Sequence, residues 1–150
     1  MSSEEQLAAF LAKYTPDIEA RAAAILNRMR ELLPGAVQMV YDNYNALAIG
    51  FSPSEKVSDA IFSIAVYPRW VSLFFLHGAG LSDAEGILQG SGNVVRHVVS
   101  QGPEDLDTPA IADLMRRALL AEGNPLDATC PGRLIIKSVS VRQRPRRPAK

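Results

Sequence analysis

Apolar residues recur at helical spacing over the first 33 positions and then switch to every second position. Leu7, Phe10, Leu11 and Tyr14 follow the i, i+3, i+4, i+7 rule of a single helical face, and Ser2 with Glu5 three residues on forms a capping box. A second helix starts at Thr15-Pro16, where threonine caps and proline occupies the first turn without losing a needed N–H. Ile18, Ala22, Ile25, Met29 and Leu32 or Leu33 continue its stripe until Pro34-Gly35 stops it.

From Ala36 the period is two. Val37, Met39 and Tyr41 mark one face of a strand, "DNYN" at 42–45 supplies turn residues, and Leu47, Ile49 and Phe51 alternate again, which predicts a hairpin. A second hairpin is predicted over 60–67 and 70–76, with Pro68-Arg69 at its turn. This one is apolar on both faces. Phe62, Ile64, Val66, Val71, Leu73 and Phe75 serve one face, while Trp70, Phe74 and Leu76 fall on the other. Such strands are central in a sheet, or their second face lines a pocket or a subunit contact.

Residues 81–88 can form a short helical turn capped by Ser82 and Glu85, and a strand is expected at 94–99. A third helix starts at Thr108-Pro109 with the stripe Ile111, Leu114, Met115, Ala118 and Leu119, and Asp113 stands four residues before Arg117 in a favourable pairing. "EGNP" at 122–125 ends it, and a last strand spans about 134–141. Strands at hairpin spacing bracketed by helices predict an α+β domain: two N-terminal helices, a largely antiparallel sheet of five or six strands, and a C-terminal helix. Crossover helices between successive strands are missing, which argues against a doubly wound sheet.

At 150 residues, 47% hydrophobic and 21% charged, the chain has the composition of one ordinary globular domain, expected over 1–141. The longest nearly uncharged apolar run, 71–81, is too short to cross a membrane, and the acidic start "MSSEEQLAAF" is unlike a signal peptide. A cytoplasmic location without membrane attachment is the expectation, and the single Cys130 agrees with a reducing compartment. The zero net charge conceals an asymmetry. Residues 142–150, "RQRPRRPAK", hold five of the 16 basic residues and no acid, so the remainder is acidic. With so few apolar residues this segment reads as a solvated, disordered tail. It also lacks interleaved aromatics for base stacking, so nucleic acid is not the expected partner.

The chemistry-bearing stretch is "LQGSGNVVRH" at 88–97. The backbone N–H groups of Gly90, Ser91 and Gly92 can form an anion cradle with Arg96 as planar partner, or the glycines can simply serve a turn with positive φ. Arg96 lies on the order of 13 Å from Gly92 along an extended strand, and Arg96 and His97 point to opposite faces. His77 and His97 with Asp83 are the nearest approach to a metal set, although hydrogen-bonded structural histidines account for them as well. Cys130, in "DATCPGR", has no helix N-terminus to activate it and reads as an inert thiol.

The span "FLAKYTPDIEARA" followed by 32–98 carries Pro34-Gly35 before the first strand, "YPRWVSLFF" at 67–75, and "L-x-G-S-G" before Val95-Arg96-His97. In these motifs it resembles the YdhG-like domain-of-unknown-function family of bacterial proteins. The resemblance implies an α+β fold that is frataxin-like in outline, an iron-delivery role in one branch, and a concentration of unusual residues at Tyr67, Trp70, Gly90, Ser91, Gly92, Arg96 and His97. The function expected from all this is a non-enzymatic module binding a small ligand or anion beside the aromatic hairpin and the "GSG" turn. Tyr67 or Trp70 would be its apolar wall, and Arg96 or His97 its polar group. No cofactor is expected, with iron implied by the resemblance alone. An iron-binding protein and a ligand-free homodimer are the alternatives.

Overall fold

The computed structural model describes residues 1–83, 85–123 and 125–148. Ala84 and Asn124, which fall within two of the expected elements, and the last two residues of the tail lie outside the described residues. The chain runs α1 (Ser3–Leu11), α2 (Pro16–Leu32), β1 (Val37–Asp42), β2 (Leu47–Ser52), β3 (Phe62–Val66), β4 (Val71–Phe75), β5 (Arg96–Ser100), α3 (Pro109–Leu120) and β6 (Leu134–Val139). The six strands form one sheet in the order β5-β4-β3-β2-β1-β6. Neighbours pair antiparallel except β6, which returns parallel to β1 after the crossover through α3. No described helix is long and apolar enough to cross a membrane.

The caps place the first two helices. Ser2 Oγ accepts the Glu5 N–H at 3.1 Å while Glu5 Oε1 accepts the Ser2 N–H, completing the capping box, and Thr15 Oγ1 accepts from Ile18. The expected repeat of that cap at Thr108 does not form. Residues 103–107 already coil into a 3₁₀ turn, and the Thr108 hydroxyl donates back to the Asp105 carbonyl at 2.7 Å. The helical turn expected from Ser82 is also replaced. Among the described residues of 81–88 the Asp83 carboxylate accepts the N–H groups of Ile87 and Leu88, which holds an irregular loop without a helix.

The helices cover one face of the sheet. Leu7, Leu11, Tyr14, Ile18, Ile25 and Met29 from α1, α2 and the corner between them, with Leu114 and Met115 from α3, form one core with Ile49, Phe51, Ile64 and Leu73 of the strands. Burial of this size is the main favourable term in folding. On the other face stand Met39, Ala48, Gly50, Ser63, Ala65 and Phe74, none of which belongs to that core. On β1 this distribution is surprising. The apolar set Val37, Met39 and Tyr41 points away from the helices, and Gln38, Val40 and Asp42 point toward them, as the pairing Val40↔Ile49 requires.

Asp42 explains the inversion. Its fully buried carboxylate accepts from Lys13 Nζ at 2.7 Å and from Arg146 Nη2 at 2.8 Å. Arg146, only 5% exposed, also donates to the Asn43 and Tyr44 carbonyls and lies 5.9 Å above the Tyr14 ring. Gln143 Nε2 donates to the Asp42 carbonyl at 3.1 Å, and the Arg144 N–H donates to the Tyr44 carbonyl at 2.9 Å. The basic tail is therefore anchored at Gln143, Arg144 and Arg146, while Arg142, Arg144, Pro145 and Arg147 stay exposed. A count of apolar residues misses it because it packs through a paired charge and backbone hydrogen bonds. Tyr14 completes the corner, donating to the Val66 carbonyl at 2.7 Å and accepting the Leu47 N–H at 3.2 Å.

Burial raises the Asp42 pKa, but the hydrogen bonds from Lys13, Gln143 and Arg146 outweigh it and hold the carboxyl below its ordinary 3.8. Native Asp42 thus binds its proton more weakly than unfolded Asp42, so its contribution to stability is complete above pH 3.8 and lost as pH falls through the lower native value. Asp42→Asn should cost about 3–5 kcal/mol at neutral pH, because it leaves Arg146 buried without its counter-charge. Urea unfolding at pH 7 and at pH 3 checks this: the variant's deficit should be largest at pH 7 and narrower at pH 3.

Candidate functional site

The chain between β3 and β4 makes a tight turn over 67–70, with proline at its second position and the Tyr67 N–H donating to the Trp70 carbonyl at 2.9 Å. Strand alternation puts both aromatic side chains on the helix-free face. Their rings stack with centroids 4.7 Å apart and planes 22° from parallel. Trp70 keeps 40% of its surface exposed, and burial pushes the Tyr67 hydroxyl pKa above 10.0, so it stays a protonated donor.

The tail passes beside this turn. Arg144, Pro145, Arg147 and Pro148 line a cleft of about 590 Å³ together with Tyr67, Arg69, Trp70 and Asn45. Among the described residues three arginines line it and no carboxylate side chain does. Arg147 Nε donates to the Lys13 carbonyl at 3.1 Å, but the guanidinium groups of Arg69 and Arg144 have no partner among the described residues. Most arginines elsewhere have carboxylate partners, Arg28 with Asp107, Arg30 with Glu4, Arg116 and Arg117 with Asp113, although Arg142 has none among the described residues. Unpaired cations gathered around an aromatic stack are suited to an anion with a flat or apolar part.

Of the residues singled out in the sequence, Tyr67 and Trp70 lie at this cleft and the other five do not. Arg96 pairs with Phe75, at the far end of β4 from Trp70, on the order of 17 Å along the strand. Its Nη1 donates to the Gly92 and Val95 carbonyls, so the guanidinium closes its own loop. Gly90 has φ +120°, a conformation that favours glycine, and Gly92 does not. Ser91 is exposed in the same loop, which an antiparallel bridge between Gln89 and His97 ties at its base. The His97 ring stacks on Phe74 at 5.1 Å.

The possible metal set also separates. His77 Nδ1 lies 2.9 Å from Glu122 Oε1, and Asp83 caps its own loop. Among the described residues no three His, Cys, Asp or Glu side chains converge as a metal requires. Cys130 donates to Asp127 Oδ2 at 3.4 Å, and that carboxylate raises the thiol pKa above 9.0. A further hollow of about 450 Å³ between the 82–87 loop and α3 is lined by Asp83 and Asp113, whose carboxylates are already engaged.

Sequence reasoning missed Asn45, Arg69, Arg144 and Arg147. Arg69 sits inside "YPRW", and the tail arginines were visible as a charge run. No local pattern joins them, because the aromatics that the tail itself lacks come from a turn more than 70 positions earlier. Comparison of the chain with protein-family models, with curated proteins and with solved structures finds no match.

Gly90→Ala should destabilise by about 1–3 kcal/mol, because alanine strains at that φ. Gly92→Ala should stay within about 0.5 kcal/mol, since nothing lies within 4 Å of the added methyl. Thermal unfolding of both variants measures the contrast; equal effects would contradict this account of the loop.

Proposed function

We propose that this protein is a binding module for small organic anions, with its site in the cleft between the 67–70 turn and the tail. The observation that carries the reading is the set of Arg69, Arg144 and Arg147 around the Tyr67–Trp70 stack, with no acidic side chain among the described residues lining the cleft. Its volume falls within the range of small-molecule sites, about 300–1,000 Å³. Guanidinium groups supply planar, charge-assisted donors for a carboxylate or phosphate, and the part-exposed Trp70 offers apolar surface for the rest of the ligand. The lining side chains bind and orient; none is placed as a nucleophile beside a base.

Trp70 is the one tryptophan, so its fluorescence reports directly on the cleft. Titration with octanoate and with pyrophosphate should give saturable changes that weaken as salt rises, whereas octanol, of the same length but neutral, should bind at least tenfold more weakly than octanoate. In the double variant Arg144→Ala/Arg147→Ala both anions should lose about tenfold or more in affinity, a loss of about 1.4 kcal/mol. Absence of any saturable response, or identical affinity in the variant, would overturn the proposal.

A further inference from the structure

Resting on that reading, we infer that the natural ligand is an elongated amphipathic carboxylate whose head meets Arg144 and Arg147 and whose apolar body lies along the helix-free face of the sheet. A trough of about 530 Å³ runs over that face and shares Asn45 and Tyr67 with the cationic cleft, so the two hollows meet at a common wall. Its small lining residues come from two central strands, Ala48 opposite Ala65 with Ser63 two positions along. Its sides are large: Tyr44, Tyr67, Phe74 and Leu76.

Chemistry divides sharply between the two hollows. Among the described residues, three arginines line the cleft and no charged residue lines the trough. An antiparallel sheet face that simply meets water carries polar side chains at alternate positions. Here the helix-free side of β2, β3 and β4 carries no charge: Ala48, Gly50, Ser52, Ser63, Ala65 and Ser72 are small, and Phe74 stands among them. From Ser63 to Tyr67, which both line the trough, the chain extends on the order of 13 Å. A ligand charged at one end and apolar along the rest matches this order of surfaces.

The trough is concave, with small side chains between taller rims. A membrane needs apolar residues that protrude, and a flat partner protein would leave the floor unfilled. A single flexible molecule follows the depression.

The test is a chain-length series of butanoate, hexanoate, octanoate and decanoate, each below its micelle concentration, read by Trp70 emission with pyrophosphate as the head-only control. Affinity should rise about two- to fourfold per added methylene. Ala65→Leu, which fills the floor, should flatten this rise and leave pyrophosphate binding unchanged. Phe74→Ala, at the half-buried rim, serves as a second variant and should weaken decanoate more than butanoate. A flat series with pyrophosphate still bound overturns the amphipathic ligand and leaves the anion site standing. No response to any anion removes both. An unchanged rise in folded Ala65→Leu and Phe74→Ala, or binding to anionic phospholipid vesicles that decanoate does not compete away, also overturns the inference.

Discussion

The buried carboxylate of Asp42 is the constraint on which the rest of the site depends. A carboxylate out of water must be neutralised and have its lone pairs filled, and here Lys13 and Arg146 do both from sequence positions on opposite sides of it. Lys13 fixes the corner between the first two helices; Arg146 fixes the tail. Such a pair adds little net stability compared with apolar residues of the same volume, but it specifies an arrangement, since Asp42 or Arg146 alone would be left charged and out of water. That specificity is what lays a proline-rich segment with almost no apolar side chains against the sheet end. Once it is there, Arg144 and Arg147 line one cleft together with Tyr67 and Trp70.

The same carboxylate decides which way β1 faces. A one-residue change of register would send Met39 and Tyr41 into the core and Asp42 into water. The observed choice leaves the apolar members of β1 on the open face, where Met39 is nonetheless buried. The sheet is thereby two-sided, with a thick core under the helices and a shallower apolar surface that no helix covers. The trough belongs to the second surface.

Much of the fold was legible because its determinants are local. The capping box at Ser2 and Glu5, the Thr15-Pro16 start and the hairpin turns each act within a few residues, and all formed. The double-sided hydrophobicity of 62–76 was equally legible and marks where the unusual surface lies. What local pattern could not give was a long-range partner. Thr108 repeats the Thr-Pro signature, yet a preceding 3₁₀ turn takes its hydroxyl. Tyr67 and Trp70 were visible as candidates, but their partners Arg144 and Arg147 lie in a charge run whose usual state is solvated, and only the buried Asp42 distinguishes it. The "GSG" loop drew attention for its glycines and arginine, and the structure uses both within the loop itself.

The most direct measurement of this account is amide hydrogen exchange at Arg144, whose N–H is bonded to the Tyr44 carbonyl. If the tail is anchored through Asp42, that amide is strongly protected in the native protein and exposed in Asp42→Asn, while Ile64 in the central strand stays protected in both. Exchange of the Arg144 amide at the rate of an unfolded peptide in the native protein would contradict the account.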